Sequence, residues 1–359
     1  MGFELDSGAK RQVEKKAVRL PVIKVMGVGG AGNNAVNRMV ELGIHGVTFV
    51  AVNTDVQVLD ASKAEIKIQI GEELTRGLGA GGNPEIGRAA AEESKDKIRE
   101  VLEDTDMLFI TAGFGGGTGT GASPVIAEIA KEMGILTVAI VTTPFYFEGK
   151  NRWKAAIEGL KSMRGKVDTL IRISNNKLFE EFSKNIPVTE AFLKADEVLH
   201  QGVKGISELI TKRGMINLDF ADIESVMRNA GAALLGIGVG KGESRVVDAV
   251  KGSMESKLID YPIEDAHTMI FSIIAPSNLM ISEMETAAMI VRQNTNEDVD
   301  VWFGLMYDDE LPEDEMRVIL IATRFEDEDR ILIPEEDLPS IAWRGGFNWI
   351  GFSKGESEG

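Results

Sequence analysis

Cysteine is absent from the 359-residue sequence, which excludes disulfides, thiolate metal sites and cysteine nucleophiles. Histidine is nearly absent. His45, His200 and His267 lie far apart with no metal-ligand spacing and read as isolated surface or core residues. No apolar run approaches the ~20 residues needed to span a bilayer, and residues 1–16 carry mixed charge with no apolar signal region. A cytoplasmic protein that does not insert into membranes is predicted. Positive charge is also short: 39 Lys and Arg stand against 57 Asp and Glu, a net charge of −18. That balance argues against nucleic acid as a partner. It also means that an anionic ligand must be held by local dipoles and a metal rather than by the overall field.

What is there is glycine, placed with purpose. Residues 113–121 read Gly-Phe-Gly-Gly-Gly-Thr-Gly-Thr-Gly, with no charge. Residues 107–112 before them read as a buried strand. Ser123-Pro124 after them opens a helical pattern through Val125, Ile126, Ile129, Ala130 and Met133, stopped by Gly134. A strand, a bare glycine turn and a helix start make an anion site, because backbone N–H groups and the helix dipole both favour a phosphate. A flexible linker would not sit between a buried strand and a capped helix.

Two further loops resemble this one. The strand at 22–26 leads into Gly27-Val-Gly-Gly-Ala-Gly32-Asn-Asn34, then a helix with Ala35, Val36, Met39 and Val40 on its apolar face. The next strand, 47–52, ends at Asn53-Thr54-Asp55. Taken alone, this G-x-G-x-x-G with a later acid is a dinucleotide fingerprint. After a strand at 67–70, Gly77 to Pro84 forms a third glycine-rich loop. Asn83 is placed as N-cap and Pro84 as first residue of a helix over 84–102. Strands at 136–141 and 169–173 follow, the second ending at Ser174-Asn175-Asn176. The alternation predicts an α/β fold, a mainly parallel sheet covered on both faces, with ligands bound at the carboxyl ends of its strands.

From 189 to 212, Phe192, Ala195, Val198, Leu199, Val203, Ile206, Leu209 and Ile210 recur at spacings of three and four, predicting one long amphipathic helix. Gly202 and Gly205 each cost it about 1 kcal/mol against alanine, and tight packing on the sheet would offset that. Beyond Gly214, strands at 232–239, 268–275, 299–307 and 316–325 and helices near 244–256 and 282–294 predict a smaller α+β domain. The last two strands, joined by the acidic loop 308–315, suggest a hairpin. The organisation is then an N-terminal extension (1–20), a nucleotide-binding domain (21–188), a connecting helix (189–214), the second domain (215–325), and an acidic spacer with an apolar tail (326–359).

A nicotinamide or flavin enzyme would need one fingerprint loop and groups for hydride or proton transfer; here a second, richer glycine loop follows another strand, and no histidine is near either. Absorbance of a co-purified cofactor would detect that alternative. A Walker-type G-x-x-x-x-G-K-[ST] is absent. What remains is a nucleotide cradle of backbone loops without a phosphate lysine.

The run 115–121 is the tubulin-type signature loop. With Gly27 to Asn34, Asn53-Thr-Asp55, Gly81-Gly-Asn-Pro84, Phe147-Glu-Gly149 and Asn217-Leu-Asp-Phe-Ala-Asp222, it makes the chain resemble the FtsZ family of bacterial and archaeal tubulin-like division GTPases over about residues 21–325. The resemblance implies a tubulin-like fold, GTP or GDP with Mg²⁺ as ligands, and head-to-tail polymerisation into filaments of the division ring. It implies that Gly30, Ala31, Gly32, Asn33 and Asn34, with Gly117, Thr118 and Gly119, hold phosphates, and that Ala80, Gly81, Gly82 and Asn83 approach the γ-phosphate. Glu148 and Arg152 match residues near ribose and phosphates; Asn175, Phe192 and Asp196 match those around guanine. No protein metal site is implied, the ion being held by nucleotide and water. A carboxylate suits the N1–H and N2–H donors of guanine, and an aromatic face suits stacking. Phe192 is equally readable as core; Asp196 is also readable as a solvated helix residue, with the base contact favoured.

Asp219 and Asp222 have the spacing of a helix cap and a first-turn acid, and capping alone explains them. The resemblance implies more: with Asn217, they enter the nucleotide site of the next subunit and polarise the attacking water. Asp196 and Asp219 are separated by most of the long helix, so they are not expected to meet within one molecule. The alternative in the same fold is a non-catalytic guanine-nucleotide-binding regulator, which loss of either acid would have favoured. Leu338, Pro339, Ile341 and Trp343 loosely match the family's tail peptide for membrane tethers such as FtsA, although the acidic spacer here is short. The other reading of that tail is a segment docked on the protein's own core.

Overall fold

The structure is a computed structural model describing residues 20–181, 186–211, 214–216, 218–256, 258–259, 261–308 and 310–333. Ten strands form one continuous sheet: β1 (Ile23–Val28), β2 (Thr48–Asn53), β3 (Ile66–Gln69), β4 (Met107–Gly113), β5 (Leu136–Thr143), β6 (Thr169–Ser174), β7 (Gly231–Lys241), β8 (Thr268–Ala275), β9 (Asp300–Tyr307) and β10 (Glu315–Thr323), in the order 3-2-1-4-5-6-7-10-8-9. The first seven run parallel. Side chains alternate between two apolar layers, as in Leu136, Val138 and Ile140 against Ala139 and Val141. Burial on both faces explains why these strands read as near-continuous apolar runs.

The predicted hairpin does not form. β10 lies antiparallel between β7 and β8, and β9 pairs in parallel with β8 at the sheet edge. Loop length suggested adjacency in sequence, but β10, almost wholly buried, takes the central position. The helix predicted over 84–102 is two helices, Pro84–Glu93 and Lys95–Leu102, broken at Ser94, whose Oγ accepts from the Gly71 amide at 3.0 Å.

The long helix spans Val188–Thr211, about 36 Å at 1.5 Å per residue. Its two glycines let it lie against both halves of the sheet. A Cβ on Gly202 would stand 3.0 Å from Leu235 of β7 and 3.2 Å from Ile140 of β5. One on Gly205 would stand 2.6 Å from Ile319 of β10.

In the stretch read as acidic spacer, the chain forms a further helix, Glu328–Leu332. Ile331 and Leu332 enter the core, Glu328 lies 3.4 Å from Arg164, and the buried Arg172 of β6 donates from Nε to the Ile331 carbonyl at 3.1 Å. Sequence patterning missed it because only two of its residues are apolar. The tail residues Leu338, Pro339, Ile341 and Trp343 lie outside the described residues.

Candidate nucleotide site

Both main glycine loops are first turns of helices rather than leaders to them. One helix starts at Gly29 and the other at Thr118, earlier than the apolar pattern suggested, with Pro124 inside the second. Their N-cap residues, Val28 and Gly117, make no side-chain cap bond. Among the described residues, no N-cap side chain satisfies the first-turn N–H groups there, which suits an anion. The loops also touch: a Cβ on Gly29 would stand 2.7 Å from the Gly119 amide nitrogen, and one on Gly119 would stand 2.9 Å from the Gly113 carbonyl oxygen. Around Gly30 and Gly116 there is open space for 4 Å. Glycine is therefore needed inside the pair for close approach, and on its outer side it leaves room for a ligand.

The third loop rests on the second. A Cβ on Gly117 would stand 2.8 Å from Ala80 Cβ and 2.9 Å from the Asn83 nitrogen, while Gly81 and Gly82 face open space. Asn83 caps its helix as predicted, its Oδ1 accepting from the Glu85 amide at 3.0 Å. Ala31 and Asn34 are exposed beside Gly30, whereas Gly32 is buried. The Asn33 side chain is turned inward: Nδ2 donates to the Gly27 carbonyl at 2.7 Å, and Oδ1 accepts from Asn53 at 2.8 Å. The Asn33 side chain is therefore engaged within the protein. The residues after β2 divide the work. Asn53 holds the first loop, Thr54 meets Thr118 with hydroxyls 2.7 Å apart, and Asp55 caps the next helix through the Gln57 amide. Asp55, the acid of the apparent dinucleotide fingerprint, is spent on that cap.

Beyond the loops lies an aromatic floor after β5. Phe145 stacks on Phe147 at 5.0 Å and meets Phe192 edge-on at 5.2 Å. Phe192 is 41 % exposed and Phe147 63 %, so neither is plain core. Glu148 accepts from the Phe145 amide at 2.9 Å and from Arg152 at 2.6 Å, which fixes both charged side chains at the rim. Asn175 is buried and its Oδ1 finds no partner among the described residues. A buried amide oxygen without a partner is uncommon, and an N–H donor on a bound base would satisfy it. Burial pushes the Asp196 carboxyl up to about 7, against the pull of Arg38. Sequence reading named Phe192 but not Phe147 or Thr54 as site residues. The signal for Phe147 was an aromatic run at 145–147 directly after a strand ending at Thr143-Pro144.

The other acids stand elsewhere. The central helix begins near this floor, and Thr211 at its far end packs on Gly46, just ahead of β2. The helix Phe220–Met227 ends where Thr169, first residue of β6, donates to the Met227 carbonyl at 2.7 Å. Asp219 and Asp222 thus follow the far end of the central helix, on a helix that ends against the amino-terminal side of β6, whereas the glycine loops lie at the carboxyl ends of β1 and β4. Asn217 lies outside the described residues. No group of acids and histidines that could hold a metal occurs among the described residues, and none of their helices is long and apolar enough to cross a membrane.

A model of the Tubulin/FtsZ family GTPase domain matches residues 22–183, and one of the FtsZ family C-terminal domain matches residues 231–326. The chain belongs to the FtsZ family. It is similar to FtsZ of M. jannaschii, solved as an empty dimer, with 47 % identity over 85 % of this chain and 88 % of that one, at TM-score 0.80. A tryptophan-to-tyrosine mutant of that FtsZ gives 47 % identity over 86 % and 92 % at TM-score 0.81. CetZ1 from Haloferax volcanii, a GDP-bound monomer, shares the fold at 20 % identity and TM-score 0.75 over 90 % and 99 %. The loops described above fall within the stretch matched to the GTPase domain, and that domain implies GTP and GDP as ligands of the chain.

Proposed function

We propose that the chain binds GTP across the three glycine loops and hydrolyses it only after a second copy docks head-to-tail. Residues 30–34 and 117–119 surround the phosphates, with the free first-turn N–H groups donating, 80–83 close on the γ-phosphate, Glu148 and Arg152 hold the ribose edge, and Asn175, Phe192 and Asp196 read guanine. The observation that carries this reading is the separation of the two halves: phosphate loops at one end of a helix about 36 Å long, and the Asp219–Asp222 pair at the other. Groups so placed can act together only between molecules. A contact between unlike faces does not close on itself and gives filaments. It accords with the dimer named for the M. jannaschii relative.

In the assembled site, carboxylates of Asp219 and Asp222, with Asn217, orient and polarise the water that attacks the γ-phosphate. The phosphate loops contain no lysine or arginine, so charge on the transferring group falls to backbone dipoles and to Mg²⁺. An ion carried by the nucleotide phosphates would supply charge neutralisation there. We assign the filaments to the division ring beneath the cytoplasmic face of the membrane, tethered by an FtsA-like partner through Leu338, Pro339, Ile341 and Trp343.

The test is GTP-dependent sedimentation with phosphate release measured on one sample across protein concentration. Rate per subunit should rise steeply at the concentration where pellet appears. A rate that stays constant from far below that point refutes the shared site.

A further inference from the structure

Thr54 and Thr118 form a pair that the roles above do not use. Their hydroxyl oxygens are 2.7 Å apart, either able to donate, and neither has a second side-chain hydrogen bond among the described residues. Each hydroxyl has one proton, so one proton is spent across the pair and the other is left over. Burial decides which. Thr54 is fully buried, while Thr118 is 9 % exposed at the first position of its helix, beside the open space at Gly116. If Thr118 donated inward, the Thr54 proton would be stranded in the core, a costly arrangement. If Thr54 donates outward, its proton is satisfied and the Thr118 proton is free at the mouth of the loop.

The surroundings hold the pair in that geometry. The Thr54 carbonyl accepts from the Gly79 amide at 3.4 Å, which ties Thr54 to the third loop. A Cβ on Gly29 would stand 3.4 Å from Thr118 Cβ, so the Thr118 side chain is wedged between the two phosphate loops. A phosphate oxygen accepts and never donates when ionised, so it needs a hydroxyl whose proton is available.

We propose that Thr54 is a positioning residue for nucleotide binding: by donating to Thr118, it fixes the Thr118 hydroxyl as a proton donor to a bound phosphate. This rests on the nucleotide reading above. The buried hydroxyl acts through its neighbour and touches no ligand itself.

Titration calorimetry with GTP on the full chain tests it. Thr54→Val should weaken binding about tenfold, the loss of one hydrogen bond's orientation, and Thr54→Ser should restore it to within about twofold. KM should rise while kcat per assembled subunit holds. In the Thr118→Val background, adding Thr54→Val should weaken binding no further, because the orienting bond has nothing left to orient. Binding by Thr54→Val equal to the parent, or penalties that simply add, overturns the proposal. Thermal unfolding of each variant controls for folding. Should valine prevent folding, Thr54→Ala against Thr54→Ser makes the same comparison. Failure of the parent chain itself to bind GTP would instead sink the nucleotide reading.

Discussion

Asp219 and Asp222 cap each other's turn: the Asp222 amide donates to Asp219 Oδ1 at 2.9 Å, and the Asp219 amide donates to Asp222 Oδ2 at 2.9 Å. A reciprocal capping box holds both carboxyl groups at the exposed start of a helix whose other face, through Ile223, Val226 and Met227, is buried. The structural role and the proposed chemical one thus fall on the same atoms, and a test must pull them apart.

Asparagine does so, since it caps as well as aspartate but carries no charge. Asp219→Asn should leave thermal unfolding and GTP-dependent sedimentation close to the parent, while phosphate release falls at least about a hundredfold. Asp219→Ala should lose the same turnover and also about 1 kcal/mol of stability. Full GTPase activity in the asparagine variant would leave these acids as caps alone.

Asp196 gives the site a pH dependence of known sign. Its carboxyl titrates at about 7 in the ligand-free chain, raised by burial from 3.8. Guanine donors need the ionised form, so GTP affinity should rise about tenfold from pH 6 to pH 8, with proton release on binding. Calorimetry in buffers of different ionisation enthalpy measures that release, and Asp196→Asn should abolish it. For folding, the raised value means that the folded state keeps a proton the unfolded chain gives up. This contribution to stability is complete below pH 3.8 and is lost as pH rises through about 7. An affinity that is flat across this range would separate Asp196 from the base.

Gly121 tests close packing against propensity. It lies inside the helix Thr118–Glu132, where alanine alone would add about 1 kcal/mol. A Cβ there would press on the Pro84 carbonyl oxygen and stand 2.6 Å from the Arg88 nitrogen of the neighbouring helix, both backbone atoms. Gly121→Ala should therefore destabilise by about 1–3 kcal/mol, read as a lower unfolding midpoint. A stabilised variant would mean that the two helices separate freely.

The helix Glu328–Leu332 sets where the chain can be cut. Truncation after residue 333 should leave folding and GTPase activity intact and abolish binding of a tether. Truncation after residue 326 should also cost several kcal/mol, about 1.5–3 for each of Ile331 and Leu332, and would remove the Ile331 carbonyl from Arg172. Retained tether binding by the first variant would reject the role given to the tail, and equal stability of the two would reject the docking.

By itself the sequence determined the parts whose causes are local. A strand shows as a buried apolar run, a cap as Asn83 before Pro84, and the central helix as a spacing of three and four. Glycine-rich turns between strands and helices pointed to a phosphate site, because backbone N–H groups and helix dipoles there favour an anion. Tertiary structure decided what depends on partners distant in the chain. It put β10 between β7 and β8, since sheet order follows burial rather than the shortest loop. It turned the Asn33 side chain into the core and used Asp55 as a cap. It paired Thr54 with Thr118 across 64 positions. It also put the phosphate loops and the Asp219–Asp222 pair at opposite ends of one helix. Residue types and spacings could name both groups of acids and loops, but only the path of the folded chain determines whether they share one molecule.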